Sequence, residues 1–486
     1  MVKTKELKHL HDETTKEKVE SLKKQFFRSH DLLCKEHGVG SETFEMLFFE
    51  SLIDSHYLDQ YILPKLGEDA GITIKSKLKT LFNAKEVTLL PLEEISELLF
   101  AGNILFVFDH AFFSIQAGDF PKRQPEESAL ETSIRGPKDG FVEDIKTNIS
   151  LIRRRLNTSS LCLEKYTIGR RSKTKVAIMY MDDLIDPRVL DELRLRIEKI
   201  DTDIVLSIYA LESLVRDRPA SIFPSMDYSG RPDFIVQAIN QGRFAMIVDG
   251  NPTVSIAPIN LLLQTKSPED SYINYAYVTI ERMIRVIGII ISAFLPGIWI
   301  AFSAFNIEQI PYLLVATISV GRFGLPLSAP IEMFIVLFLF ELFNEAGVRL
   351  PKAIGQSVAV LGGLIVGDAA IRAGLTSPTM LVVGAITYIS SFTLVNHALS
   401  SGITILRFTI LLMSTFFGLF GLVLGFILTV FYFSTITSFG VPYLGSIAPI
   451  NLKESIKSLL MAPRSFYKNR TNATSPGDPT RGGNEE

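Results

Sequence analysis

Glu341, Glu345 and Arg349 follow one another at intervals of four inside IEMFIVLFLFELFNEAGVR, a stretch otherwise almost wholly apolar. That spacing puts the three on one helical face and lets Glu345 pair with Arg349. Asp368 and Arg372 repeat the acid-then-base arrangement in the next apolar segment. A charge at the centre of a bilayer costs at least about 2.5 kcal/mol, so ionisable groups in such segments are functional candidates by default. Two readings stand side by side: these faces line a polar pore or relay, or each pair is a neutral clip near a helix end that water already reaches. Glu332 follows Ser328 and Pro330 at a helix start, where the helix dipole favours an acid, and a structural role is expected for it.

Other motifs point away from chemistry. Gly363 with Gly367, and Gly421 with Gly425, are small-xxx-small patterns that let helices approach closely, and packing is their expected role. VLGGLIVGD lacks the Lys-Ser/Thr ending of a phosphate loop. Asn396 and His397 read as an interfacial polar cap, and Arg153, Arg154 and Arg155 as a solvated face rather than a phosphate site. There is no Ser/His/Asp, metal or nucleotide signature, so no catalytic residue, cofactor or metal is expected and the chain does not read as an enzyme.

The elements that would position these groups divide the chain. It carries 49 Lys and Arg against 52 Asp and Glu, for a net charge of −3, which gives no electrostatic footprint for nucleic acid. Between Met283 and Ile450 lie only eleven charges: Glu308, Glu332, Glu341, Glu345, Asp368, Arg285, Arg322, Arg349, Lys352, Arg372 and Arg407. A soluble α/β region should therefore precede a helical membrane domain. Cys34 and Cys162 fit reduced thiols rather than a disulfide framework, and the N-terminus has no apolar core of a secretory signal. A cytosolic N-terminal region follows from both.

Within that region, residues 5 to 36 read as a Lys/Glu/Leu-rich helix ending at DLLCKEHGVG. NILFVFD (103–109) and KVAIMYM (175–181) read as buried strands. DGFVEDIKTNISLIRRRL places Phe141, Ile145, Ile149, Ile152 and Leu156 on one helical face, and Val189, Leu193, Ile197 and Ile200 form a second stripe after Pro187. RFAMIVDGNPTVSIAPI predicts a hairpin about Asp249 and Gly250. The polar stretch 116–137 divides two subdomains, 1–130 and 131–270.

Membrane passes are expected at 283–305, 331–343, 354–371, 379–395 and 403–433, with the short 311–320 segment either crossing or re-entrant. The basic tail Lys453 to Arg470 and the base-free FNIEQIP loop put both termini on the cytoplasmic side, so the count over 275–450 is even, four or six. Residues 451–486 read as a basic, largely disordered cytosolic tail.

RGPKDGFVEDIKTNISLIRRRL (135–156), GRFAMIVDGNP (242–252), SPEDSY (267–272), EAGVRLPKAIGQSVAVLGGLIVGDAAIRAGL (345–375) and TSFGVPYLGSIAPIN resemble, in that order, motifs of the A subunits of GerA-type spore germinant receptors. The resemblance implies an N-terminal α/β region of two subdomains facing the spore core, and a multi-pass subunit in the inner membrane of the endospore. It implies a transporter-like B partner, which binds the small-molecule nutrient, and a lipoprotein C partner. An A subunit would then assemble, pass the signal, or conduct cations as a homo-oligomer in contact with lipid. A secondary transporter of a small solute and a scaffold without transport remain the alternatives.

Overall fold

The computed structural model describes residues 15–39, 42–68, 73–108, 111–118, 127–128, 131, 133–349, 367–445 and a few residues from 459 onward. The chain forms two compact units, one of residues 1–217, 226–258 and 467–486, the other of 218–225 and 259–466.

Among its described residues, the first unit holds two five-stranded sheets. After α1 (Thr15–Gln25) come β1 (Leu32–Val39) and β2 (Glu42–Phe49), then α2 (Ile74–Phe82), β3 (Lys85–Glu86), α3 (Leu92–Phe100), β4 (Asn103–Phe108) and β5 (Ala111–Gln116). They pair antiparallel in the order β1-β2-β4-β5-β3. Strand periodicity sends alternate side chains to opposite faces. Phe44, Met46, Phe48, Ile104, Phe106 and Phe113 accordingly pack into one core, and Leu47, Phe49, Leu105, Val107 and Phe112 into another. Both faces are covered, which is why NILFVF is apolar throughout.

The expected helix over 5–36 stops at Gln25, and Leu32–Val39 is a strand registered residue by residue against Glu42–Phe49. Tertiary pairing overrides the helical composition there, because β2 needs a partner along its whole length. Cys34 and Cys162 are both free thiols, the first exposed and the second buried.

The second sheet is built from α4 (Ile145–Arg153), β6 (Leu161–Ile168), β7 (Thr174–Met181), α5 (Pro187–Glu198), α6 (Ile208–Val215), β8 (Asp227–Ser229), α7 (Pro232–Ile239), β9 (Phe244–Val248) and β10 (Val254–Ala257), in the order β6-β7-β9-β10-β8. The hairpin about Asp249 and Gly250 forms as its turn residues predict, with Gly250 at φ +83°. Helix α4 begins six residues later than Asp139. Asp144 caps it by accepting from the Thr147 amide at 2.8 Å, while Asn148 exchanges hydrogen bonds with Val142 and fixes the preceding turn.

The second unit contains α8 (Tyr275–Ile300, continued by a π turn to Phe305), α9 (Tyr312–Gly321), α10 (Ala329–Arg349), α11 (Pro378–Ser391) and α12 (His397–Thr435). Among the described residues, two stretches, Tyr275–Phe305 and Ala398–Thr435, are long and apolar enough to cross a membrane. The expected pass at 354–371 falls largely outside the described residues.

As one straight rod, the 39 residues of α12 would run roughly 58 Å. They do not. Gly418 sits at φ +58°, ψ −134°, a conformation reserved for glycine, and the chain reverses there. A side-chain carbon at Gly421 would strike the Met413 carbonyl, and one at Gly425 would lie 3.6 Å from Ile410 and Met413. At the open end, Phe223 meets both Gly402, where a Cβ would lie 2.9 Å from its ring, and Phe433, at 4.6 Å between centroids. The single pass expected over 403–433 is therefore a hairpin of two antiparallel arms. Its glycines were legible; the reversal at Gly418 was not, because no polar residue marks it.

Candidate functional site

Helix registers set where the charges fall. Along α10 and α11, Glu332 lies beside Ser377, Val336 beside Gly384, and Phe340 stacks on Tyr388 at 5.0 Å, so the two helices run parallel. Helix α8 runs with the first arm of α12: Ser292 meets Arg407, Gly297 meets Ile410 and Ser414, and Phe305 meets Gly418.

Glu332 is fully buried. Its Oε2 accepts from the Ser377 amide at 3.1 Å, and its Oε1 lies 3.3 Å from Arg322 Nη2. One carboxylate thus ties the start of α11 to the start of α10 and to the end of α9, the structural role expected of it. Glu341 is half-buried and within electrostatic reach of Tyr388 and Arg407. Glu345, one turn on, is exposed on the surface of this chain. Arg349 ends α10, and its side chain lies outside the described residues, as does Gly363. Asp368 and Arg372 pair at 2.7 Å, with 61% and 79% of their side chains exposed. Gly367 packs against Leu381, while Gly421 and Gly425 face the opposite arm of their own hairpin.

Two charged centres were missed by sequence reasoning. Arg407, 2% exposed, donates from Nε to the Ser292 carbonyl at 2.8 Å and from Nη2 to Ser292 Oγ at 2.6 Å. The rule applied to Glu341 applies equally to a base in the middle of an apolar run, so its signal was present. Asp270, in SPEDSY, accepts from Arg282 Nε at 2.8 Å and from Arg285 Nη1 at 2.9 Å, and Arg285 also donates to the Thr265 carbonyl. The loop is thereby locked onto the first turns of α8. Spacings of 12 and 15 residues have no local signature, and only folding brings these groups together.

The C-terminal motif joins the same region. Ser438 Oγ donates to the Ser225 carbonyl and accepts from the Ile259 amide. Tyr443 is buried, donates to Gln264 Oε1, and accepts from the Leu261 amide through its carbonyl.

In the first unit, Arg153 is fully buried rather than part of a solvated face. It donates to Asp31 at 3.0 Å and to Ser29 Oγ at 3.1 Å, and its guanidinium lies 4.4 Å over the Phe49 ring. The long arm of Arg reaches out of α4 into the first sheet's core, an arrangement invisible to periodicity. Of its neighbours, Arg154 is exposed and Arg155 binds Asp139. The Gly250 amide donates to the Glu143 carbonyl, so the hairpin motif touches the turn before α4. Glu164 accepts from Tyr166, Tyr180 and Arg194. Burial pushes this carboxyl up, but those donors outweigh it and hold it below its ordinary range. Among the described residues, no group of three His, Cys, Asp or Glu comes together that could hold a metal.

Residues 20–473 match the family model described as Bacillus/Clostridium GerA spore germination protein. The chain is 37% identical over 447 residues to spore germination protein XA of Bacillus anthracis, covering 90% of this chain and 91% of that one. It is 32% identical over 480 residues to spore germination protein KA of Bacillus subtilis (strain 168), covering 96% and 87%. The crystal structure of the N-terminal domain of the A subunit of the Bacillus megaterium spore germinant receptor GerK3 aligns with 50% of this chain and 94% of its own, at 26% identity and a TM-score of 0.37.

Proposed function

We propose, for a chain that belongs to the GerA spore germination protein family, that it acts as the A subunit of a nutrient-sensing receptor in the inner membrane of the endospore. It passes the germinant signal across that membrane alongside a transporter-like B subunit, which binds the nutrient, and a lipoprotein C subunit. Helices α8, α10, α11 and the two arms of α12 cross the bilayer. Together with the pass expected at 354–371 they make six, an even count that returns both termini to the spore core, while α9, at 10 residues, stays on the far side.

The observation that carries a conducting role is the uncovered charge. Among the described residues, Glu345, Asp368 and Arg372 are exposed, within segments otherwise composed for lipid. Exposed charge in such segments is tolerated where water reaches it, and an aqueous path within a ring of copies supplies that water. Glu341 and Arg349, four residues before and after Glu345 in the sequence, complete the candidate set. Neutralising Glu341 and Glu345 in spores tests this: slowed germination and slowed cation release are expected. Unchanged germination and release at normal protein level removes both residues from the pathway. Reconstitution separates the alternatives, since flux of ions through this subunit alone, uptake of solute without partners, and neither correspond to channel, transporter and scaffold.

A further inference from the structure

We propose that Arg407 is a positioning residue that stands in for the amide hydrogen missing at Pro296, and so joins the unmade hydrogen bond of α8 to the hairpin of α12. In an α-helix the carbonyl of residue 292 accepts from the amide of residue 296. Proline has no such hydrogen, and Pro296 lies inside α8, so the Ser292 carbonyl has no donor in its own helix. Ser292 is fully buried, where an unmade hydrogen bond is expensive. Arg407 fills the vacancy from the neighbouring helix, with Nε on the carbonyl at 2.8 Å and Nη2 on Ser292 Oγ at 2.6 Å. The two acceptors match the planar fork of a guanidinium, which the single head of a lysine does not reproduce.

The surroundings are built for this contact. One residue beyond the proline, a Cβ at Gly297 would lie 2.8 Å from Ile410 Cγ2 and 2.9 Å from Ser414 Oγ, so only glycine lets the helices come this close. Glu341 of α10 and Tyr388 of α11 lie within electrostatic range of the guanidinium. Resting on the reading of these helices as membrane passes, the inference adds a joint. The position in α8 that lacks its own amide donor is thereby held by a side chain from the first arm of α12.

The test is a double-mutant cycle on the purified full-length chain in detergent, read as the thermal unfolding midpoint of wild type, P296A, R407M, R407K and P296A/R407M. P296A supplies an amide hydrogen at position 296 and lets the helix bond its own carbonyl. R407M should therefore lower the midpoint at least twice as far in the Pro296 background as in the P296A background, with R407K resembling R407M. If R407M alone does not accumulate, accumulation of P296A/R407M is the same supporting result. Equal losses in the two backgrounds, or failure of both R407M variants to accumulate, overturn the proposal. Because the readout is unfolding, it stands or falls apart from ion conduction.

Discussion

Arg153 and Asp31 lie more than a hundred residues apart in sequence, yet they meet at 3.0 Å with neither side chain exposed. The ion pair welds α4 to the first sheet, and Phe49 closes over the guanidinium. Removing one member of such a pair leaves a buried uncompensated charge and costs about 3–5 kcal/mol, whereas an apolar replacement of both is near neutral. R153M should therefore destabilise the first unit strongly and D31L/R153M should recover most of the loss, measured by denaturant unfolding of the full chain in detergent. Equal destabilisation by the single and double variants would show that the pair is not the weld.

Asp270 makes a second prediction. Its carboxylate is shared by Arg282 and Arg285, all three largely buried, at the entrance to α8. D270N removes the charge while keeping the shape, leaving Arg282 without the carboxylate it shares and Arg285 with only Glu281, and should cost about 3 kcal/mol or more. R285K, which keeps the charge but loses the guanidinium that reaches Thr265 and Asp270 from Nη1 and Glu281 from Nη2, should cost less. Protease accessibility of the 265–275 loop in membranes reads both variants; unaltered cleavage in D270N would exclude a locking role.

How much of this was legible follows from the range of each interaction. NILFVF and KVAIMYM became strands, and the Asp249–Gly250 turn closed its hairpin, because periodicity and turn chemistry act within a few residues. Leu32–Val39 misled, since its lysine, glutamate and histidine suit a helix surface and only the pairing with Glu42–Phe49 decides otherwise. The i, i+4 pair Asp368–Arg372 was readable from spacing. Arg407 with Ser292, Arg153 with Asp31, and Asp270 with Arg282 were not, because each joins elements whose proximity only the folded chain creates.

Gly418 supplies the third prediction. Its φ of +58° with ψ of −134° is closed to residues with a Cβ, and an added Cβ would lie 2.8 Å from Phe305 Cγ. G418A should thus combine backbone strain of about 1–3 kcal/mol with a clash. F305A relieves only the clash, so G418A/F305A should recover part of the lost membrane-inserted protein and no more. Full accumulation of G418A alone, by quantitative blotting of spore membranes, would mean that the two arms do not turn back at this residue.

Glu212 gives a pH dependence whose sign is fixed. Burial lifts its carboxyl to about 7, against the Ser255 hydrogen bond and the Arg216 charge, which pull it down. The folded chain therefore holds a proton that the unfolded chain, with an ordinary value of about 4.3, releases. Stability from this site is complete below that ordinary value and is lost as pH rises from there through 7, by about 4 kcal/mol at about 1.4 kcal/mol per unit. Glu131, also lifted by burial, adds a slope of the same sign. Glu164, held down by Arg194 and two tyrosines against its burial, acts in the opposite sense and only in acid. E212Q should flatten the decline between pH 5 and 8 and leave the chain more stable than wild type at pH 8. An unfolding midpoint whose pH profile is the same in E212Q and wild type would mean that Glu212 is ionised in the fold, with its charge met by Arg216 rather than suppressed by burial.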